Sequence, residues 1–70
     1  MIDIIVAQGW FRYKSCTCNG TLKHKYKHPN KQNKEIWIMP NRNSWEYRIS
    51  KRVWGNGVGV EPLRIKLLEI

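Results

Sequence analysis

The dipeptide Asn19–Gly20 constrains this chain more than any other feature. Both residues tolerate positive φ, which the two central positions of a type I′ turn require, and they stand between two runs of alternating character. A two-residue loop here makes residues 10–28 a hairpin with Lys14 opposite Lys25, Arg12 opposite Lys27 and Cys16 opposite Lys23. One face then carries Trp10, Arg12, Lys14, Cys16, Cys18, Thr21, Lys23, Lys25 and Lys27. The other carries Phe11, Tyr13, Ser15, Thr17, Leu22, His24, Tyr26 and His28, with Tyr13 against Tyr26 and Phe11 against His28. Basic and aromatic residues separate cleanly in this register. Sliding one strand by a single residue would send its whole set to the wrong face.

The rest of the chain reads as a continuation of the same meander. Ile2 to Ala7 is apolar and rich in branched side chains and fits a first strand, broken by Gln8 and Gly9. Pro29 to Lys34 is a polar loop. Glu35 to Met39 is a short strand stopped by Pro40, and Asn41 to Ser44 connect it to a longer strand, Trp45 to Trp54. Gly55, Asn56 and Gly57 turn the chain into Val58 to Val60. The final segment, Pro62 to Ile70, fits a helix through Leu63, Leu67 and Ile70 and a strand through Leu63, Ile65 and Leu67, and the strand is preferred. The expectation is a single all-β domain over residues 1–70: a small antiparallel meander of five to six strands, curled into an open barrel of SH3-like or OB-like shape, or a sandwich. Closure hides the edges that a short β chain otherwise exposes.

Seventy residues bury only about 60% of the surface of the unfolded chain, so the core is thin and a deep substrate cavity is not expected. The charge is lopsided, with 13 Lys and Arg against 5 Asp and Glu, a net +8. Solubility is served equally well by mixed signs, so an excess of this size points to a polyanion. The hairpin sharpens the point, because like charges facing each other across a sheet each cost roughly 0.2 to 1 kcal/mol. A phosphate backbone laid along Arg12, Lys14, Lys23, Lys25 and Lys27 turns that repulsion into attraction and releases counterions.

Trp45 to Trp54 offers a second basic face. Trp45, Tyr47, Ile49 and Val53 look inward; Glu46, Arg48, Ser50, Arg52 and Trp54 look outward, with Arg52 facing Glu61, Trp54 facing Gly59 and Arg48 left free. Trp10 and Trp54 then lie beside cations, where a flat ring can stack an unpaired base, an interaction of about 1 to 3 kcal/mol. The more ordinary role of a tryptophan near a strand end is to cover the core. The nucleic-acid-binding set is therefore Trp10, Arg12, Lys14, Lys23, Lys25, Lys27, Arg48, Arg52 and Trp54. Single-stranded or non-specific DNA or RNA is the expected partner, since no base-reading helix is evident.

Cys16, Cys18, His24 and His28 are of zinc-ligating type, but one residue between the cysteines is fewer than a zinc knuckle uses, and the hairpin puts thiols and imidazoles on opposite faces. No metal or other cofactor is expected, zinc at these four residues being the weak alternative. Cys16 and Cys18 also sit at the limit of disulfide geometry, and Lys23 across from Cys16 favours a thiolate. The carboxylates Asp3, Glu35, Glu46, Glu61 and Glu69 are scattered, and no serine or glycine motif suggests catalysis, so the chain is read as a non-enzyme. Met1 to Ala7 has Asp3 where a signal peptide is basic and is too short to span a bilayer, which suggests an intracellular protein or one inside an assembled particle. The rival reading is a structural or assembly subunit, a homo-oligomer or part of a larger particle. Glu35 to Met39 is apolar on both faces, and Ile2, Ile4, Ile5 and Val6 at one end match Ile65, Leu67, Leu68 and Ile70 at the other.

Overall fold

A computed structural model describes all residues, 1–70. The chain runs α1 (Ile2–Ala7), β1 (Phe11–Cys18), β2 (Thr21–His28), β3 (Lys31–Met39), a 3₁₀ turn (Pro40–Arg42), β4 (Ser44–Ile49), β5 (Arg52–Val58) and α2 (Val60–Glu69). The five strands form one antiparallel sheet in sequence order, β1-β2-β3-β4-β5. β1 and β5 are its two edges, so the sheet is open and neither a barrel nor a sandwich forms. Neither helix is long and apolar enough to cross a membrane.

Closure is unnecessary because both chain ends cover the same face of the sheet. Ile5 of α1 and Leu63 and Leu67 of α2 join Trp10, Tyr26, Ile36, Ile38, Trp45 and Tyr47 in a single apolar cluster, with Ile2, Ile4, Ile49 and Ile70 packed around it. The strand expected over Ile2 to Ala7 is therefore a helix. Its apolar run fits either element, and burial of Ile2, Ile4 and Ile5 on one helical side outweighs the strand propensity of branched residues. The strands preferred for Val58 to Val60 and Pro62 to Ile70 are likewise replaced: Val58 ends β5, and from Val60 the chain is helical. Leu63 and Leu67, four residues apart, both face the core, and Pro62 lies in the first turn where its missing N–H is harmless.

The first hairpin turns where expected, with Asn19 at φ 53° and Gly20 at φ 77°. The second reversal needs only Pro29 and Asn30, so the polar loop expected through Lys34 is instead mostly strand, interrupted by Asn33 at φ 64°. The long strand expected from Trp45 to Trp54 is in fact two. Ser50 and Lys51 make a tight turn with φ of 50° and 70°, a region that L residues enter at a cost of roughly 1 to 2 kcal/mol each. Gly55–Asn56–Gly57 is consequently strand and not turn. Glycine is needed there for space: a Cβ on Gly57 would come within 2.7 Å of the Trp45 indole. Arg52 faces Ile49 and Glu61 pairs with Arg64 on α2 at 3.3 Å, which overturns the expected Arg52–Glu61 and Trp54–Gly59 pairings.

Candidate polyanion-binding face

With the helices on one side, the alternation of each strand assigns the other side of the sheet to odd-numbered residues of β2 and β3 and even-numbered ones of β4. From Lys14 to Cys18 the hairpin keeps the expected register, so Lys14 faces Lys25 and Cys16 faces Lys23. Lys27 faces Glu35, Lys25 faces Trp37, and Trp37 faces Glu46. This uncovered surface is the candidate site.

At Tyr13 the register slips by one residue, and the slip changes the composition of the face. Beyond it Phe11 faces Lys27 and Arg12 faces Tyr26, so Arg12 leaves the cationic side and lies 3.5 Å from Nδ1 of His24. Phe11 and Tyr13 move onto the open side, correcting the expected Phe11–His28 and Tyr13–Tyr26 pairs. Lys27 Nζ stands 4.3 Å from the centre of the Tyr13 ring, and the Tyr13 hydroxyl donates to Oε1 of Glu35. Burial, then the hydrogen bond to this carboxylate and its charge, raises the Tyr13 phenol above its ordinary value, so it remains a neutral donor.

Trp37 is the centre of the face. Its indole N–H donates to the same Glu35 Oε1 at 2.8 Å, which fixes the ring. Lys25 Nζ lies 3.9 Å from the ring centre, Arg48 Cζ 3.7 Å and Lys23 Nζ 5.6 Å. Lys25 comes from β2 and Arg48 from β4, the two strands flanking Trp37. Each is attracted by the ring's electron-rich surface. Trp37 therefore sits among cations that would otherwise only repel one another. Arg48 is not free as expected: it donates to Glu46 Oε1 at 2.7 Å and to the Lys51 carbonyl at 2.7 Å.

The acids do little to offset the lysines. The three ion pairs are Arg48–Glu46, Arg64–Glu61 and Lys66–Glu69, and Glu35, only 6% exposed, is engaged by Tyr13 and Trp37. Lys14, Lys23, Lys25 and Lys27 thus share one surface and take part in none of these ion pairs.

Three other expected members lie elsewhere. Trp10 is 2% exposed and packs in the core, its ring edge-on to His28 at 5.3 Å, because α1 turns back at Gly9 and carries it under the sheet. Arg52, opposite the core-side Ile49, is on the helix side. Trp54 is the extra residue of a bulge in β5, at the sheet edge and 64% exposed. Val53, expected to look inward, faces Arg48 and is exposed. The signal for Trp37 was its alternation with the buried Ile36 and Ile38; the slip at Tyr13 has no sequence marker.

The two thiols lie 3.7 Å apart beside Lys23, while the histidines serve the opposite side. His24 Nδ1 is 2.7 Å from the Ser15 hydroxyl. His28 donates through Nε2 to the Gln8 carbonyl at 2.8 Å and accepts the Asn30 N–H at Nδ1, tying the end of α1 to the β2–β3 turn. No three His, Cys, Asp or Glu side chains gather into a group that could hold a metal ion. Comparison of the chain with known protein families, curated proteins and solved structures found no match.

Proposed function

We propose that the uncovered face of the sheet binds the phosphate backbone of single-stranded DNA or RNA, with little sequence selectivity and without catalysing a reaction. The observation that carries this reading is the set Lys14, Lys23, Lys25 and Lys27, which takes part in no ion pair, with Lys23 and Lys25 placed over Trp37, Lys27 over Tyr13, and Lys14 across the ladder from Lys25. Side chains fixed before the ligand arrives lose less freedom on binding, which favours affinity. The grip is on phosphates, and Arg48 supports it from beside Trp37. Trp54 is the exposed tryptophan ring open to a base.

Binding through four lysines implies a slope of about −3 in log affinity against log salt, or on the order of 50-fold weakening between 50 and 200 mM. Fluorescence anisotropy with a labelled oligonucleotide measures it. The doubly reversed variant Lys14→Glu/Lys25→Glu should lose binding altogether; salt-independent affinity, or an unaffected variant, defeats the reading.

A second reading, self-association or assembly into a larger particle, draws on the β5 edge. Val53, Trp54 and Val58 are exposed there, no charged residue lies between them, and Ile65 and Leu68 of α2 are also exposed, Leu68 at 87%. The opposite edge carries Lys14 and a bulge, the usual protections against pairing. Sedimentation of wild type against Val58→Lys tests it: a concentration-dependent larger species that the substitution abolishes supports assembly.

A further inference from the structure

Cys16 and Cys18 alternate with Thr17 along β1, so both side chains rise from the open face, and their sulfurs lie 3.7 Å apart. Cys16 is half-buried and Cys18 exposed, so both can be reached from solvent. The pair stands at the end of an edge strand, beside the Asn19–Gly20 turn, with Lys23 directly across from Cys16 and Lys14 two residues before it on the same face. Neither thiol belongs to the apolar core.

The separation of the sulfurs decides what the pair can hold. A tetrahedral ion with metal–sulfur bonds of about 2.3 Å, the length found for zinc, sets two thiolates about 3.8 Å apart. The two thiols already stand at that bite. A disulfide needs its sulfurs at about 2.0 Å, and residues two apart on a strand have Cα atoms about 6.6 Å apart, near the upper limit for a bridge. Closing that bond would pull β1 out of shape, whereas holding an ion leaves the strand as it is.

Two thiolates fill half of a tetrahedron, and the chain offers no more. No third His, Cys, Asp or Glu gathers with them, and His24 and His28 serve the opposite side of the sheet. A second copy of the same pair supplies the missing half, in a two-fold arrangement where each chain gives equal ligands. Charge favours it: a divalent ion with four thiolates is left with a surplus of negative charge, and each copy brings Lys14 and Lys23 on the same face. Access favours it too. No strand lies beyond β1, and Lys14 and the bulge at Tyr13 discourage direct strand pairing there, so the ion itself is the link.

We infer that Cys16 and Cys18 are half of a tetrahedral thiolate site, which a thiophilic divalent ion of the Zn²⁺ type completes by joining two copies of the chain at the β1 edge. Each thiol releases its proton to solvent as it binds, so the step needs no oxidant. The site does not depend on the open face binding nucleic acid.

Co²⁺, whose visible absorption reports tetrahedral sulfur ligation, is titrated into the reduced full chain at neutral pH, with sedimentation run alongside. The bands should saturate at one ion for two chains as the sedimenting mass doubles. Zn²⁺ should then bleach the bands and keep the dimer, and a strong chelator should abolish both. Cys16→Ser and Cys18→Ser should each abolish the metal-dependent dimer. His24→Gln and Val58→Lys should leave it intact, since the imidazole lies on the other side and the β5 edge takes no part. Saturation at one ion per chain without a change in mass overturns the shared site, as does a dimer that survives both cysteine substitutions or is lost with His24. Absence of the bands from the reduced wild type overturns the inference outright.

Discussion

Trp37 and Trp45 sit on neighbouring, paired strands and live in opposite chemical worlds. Trp45 is 2% exposed, packed against Gly57 with its N–H on the Gly59 carbonyl at 3.2 Å. Trp37, on the other side of the same sheet, is half-buried, with Lys25 Nζ 3.9 Å and Arg48 Cζ 3.7 Å from its ring centre. The residue type is the same, and what differs is strand parity and the partner across the ladder: a glycine that makes room for Trp45, a lysine and an arginine that reach over Trp37. One side of each strand thus serves cohesion, and the other is left uncovered.

The sharpest way to break this contrast is truncation of both rings. Trp45→Ala should cost about 3 to 5 kcal/mol, enough to unfold much of a marginal domain, whereas Trp37→Ala should cost no more than about 2, from a lost hydrogen bond and partial burial. Denaturant midpoints measure both, and equal losses would mean that the open face is a second core. Of intermediate size is Glu35→Ala, which leaves the Tyr13 hydroxyl and the Trp37 N–H without their acceptor and should cost about 1 to 3 kcal/mol. It should also loosen the ring around which Lys25 and Arg48 are placed, and so weaken oligonucleotide affinity. The smallest effect is the most discriminating. Lys14→Glu replaces a like-charge cross-strand pair with an attractive one and should raise stability by about 0.2 to 1 kcal/mol while lowering affinity for nucleic acid. A variant that is both less stable and unaltered in binding would show that the lysines serve the fold.

The sequence-level expectation was most reliable where local chemistry leaves one option. Asn19 and Gly20 accept left-handed backbone readily, and the register that follows put Lys14 across from Lys25 and separated the cysteines from the histidines. It failed where tertiary contacts choose between local options. Short runs of isoleucine and leucine at both ends fit strand and helix alike, and only the uncovered apolar side of the sheet selects helix. Ser50 and Lys51 form a turn against their own backbone preference, so nothing marked it, and the glycines after them looked like the missing turn although Trp45 and Lys66 explain them better. The bulge at Tyr13 is likewise unannounced. That single extra residue exchanges Arg12 for Tyr13 on the candidate face, and the return of the chain at Gly9 removes Trp10.

The helices that share one face of the sheet flank its five strands in the chain, and this orders events during synthesis. Each strand pairs with the one made just before it, so hairpins can zip as they emerge, but Leu63 and Leu67 follow all five strands. Until α2 is made, the isoleucine and tryptophan side of the ladder stands without that part of its cover, and the nascent polypeptide is at its most adhesive.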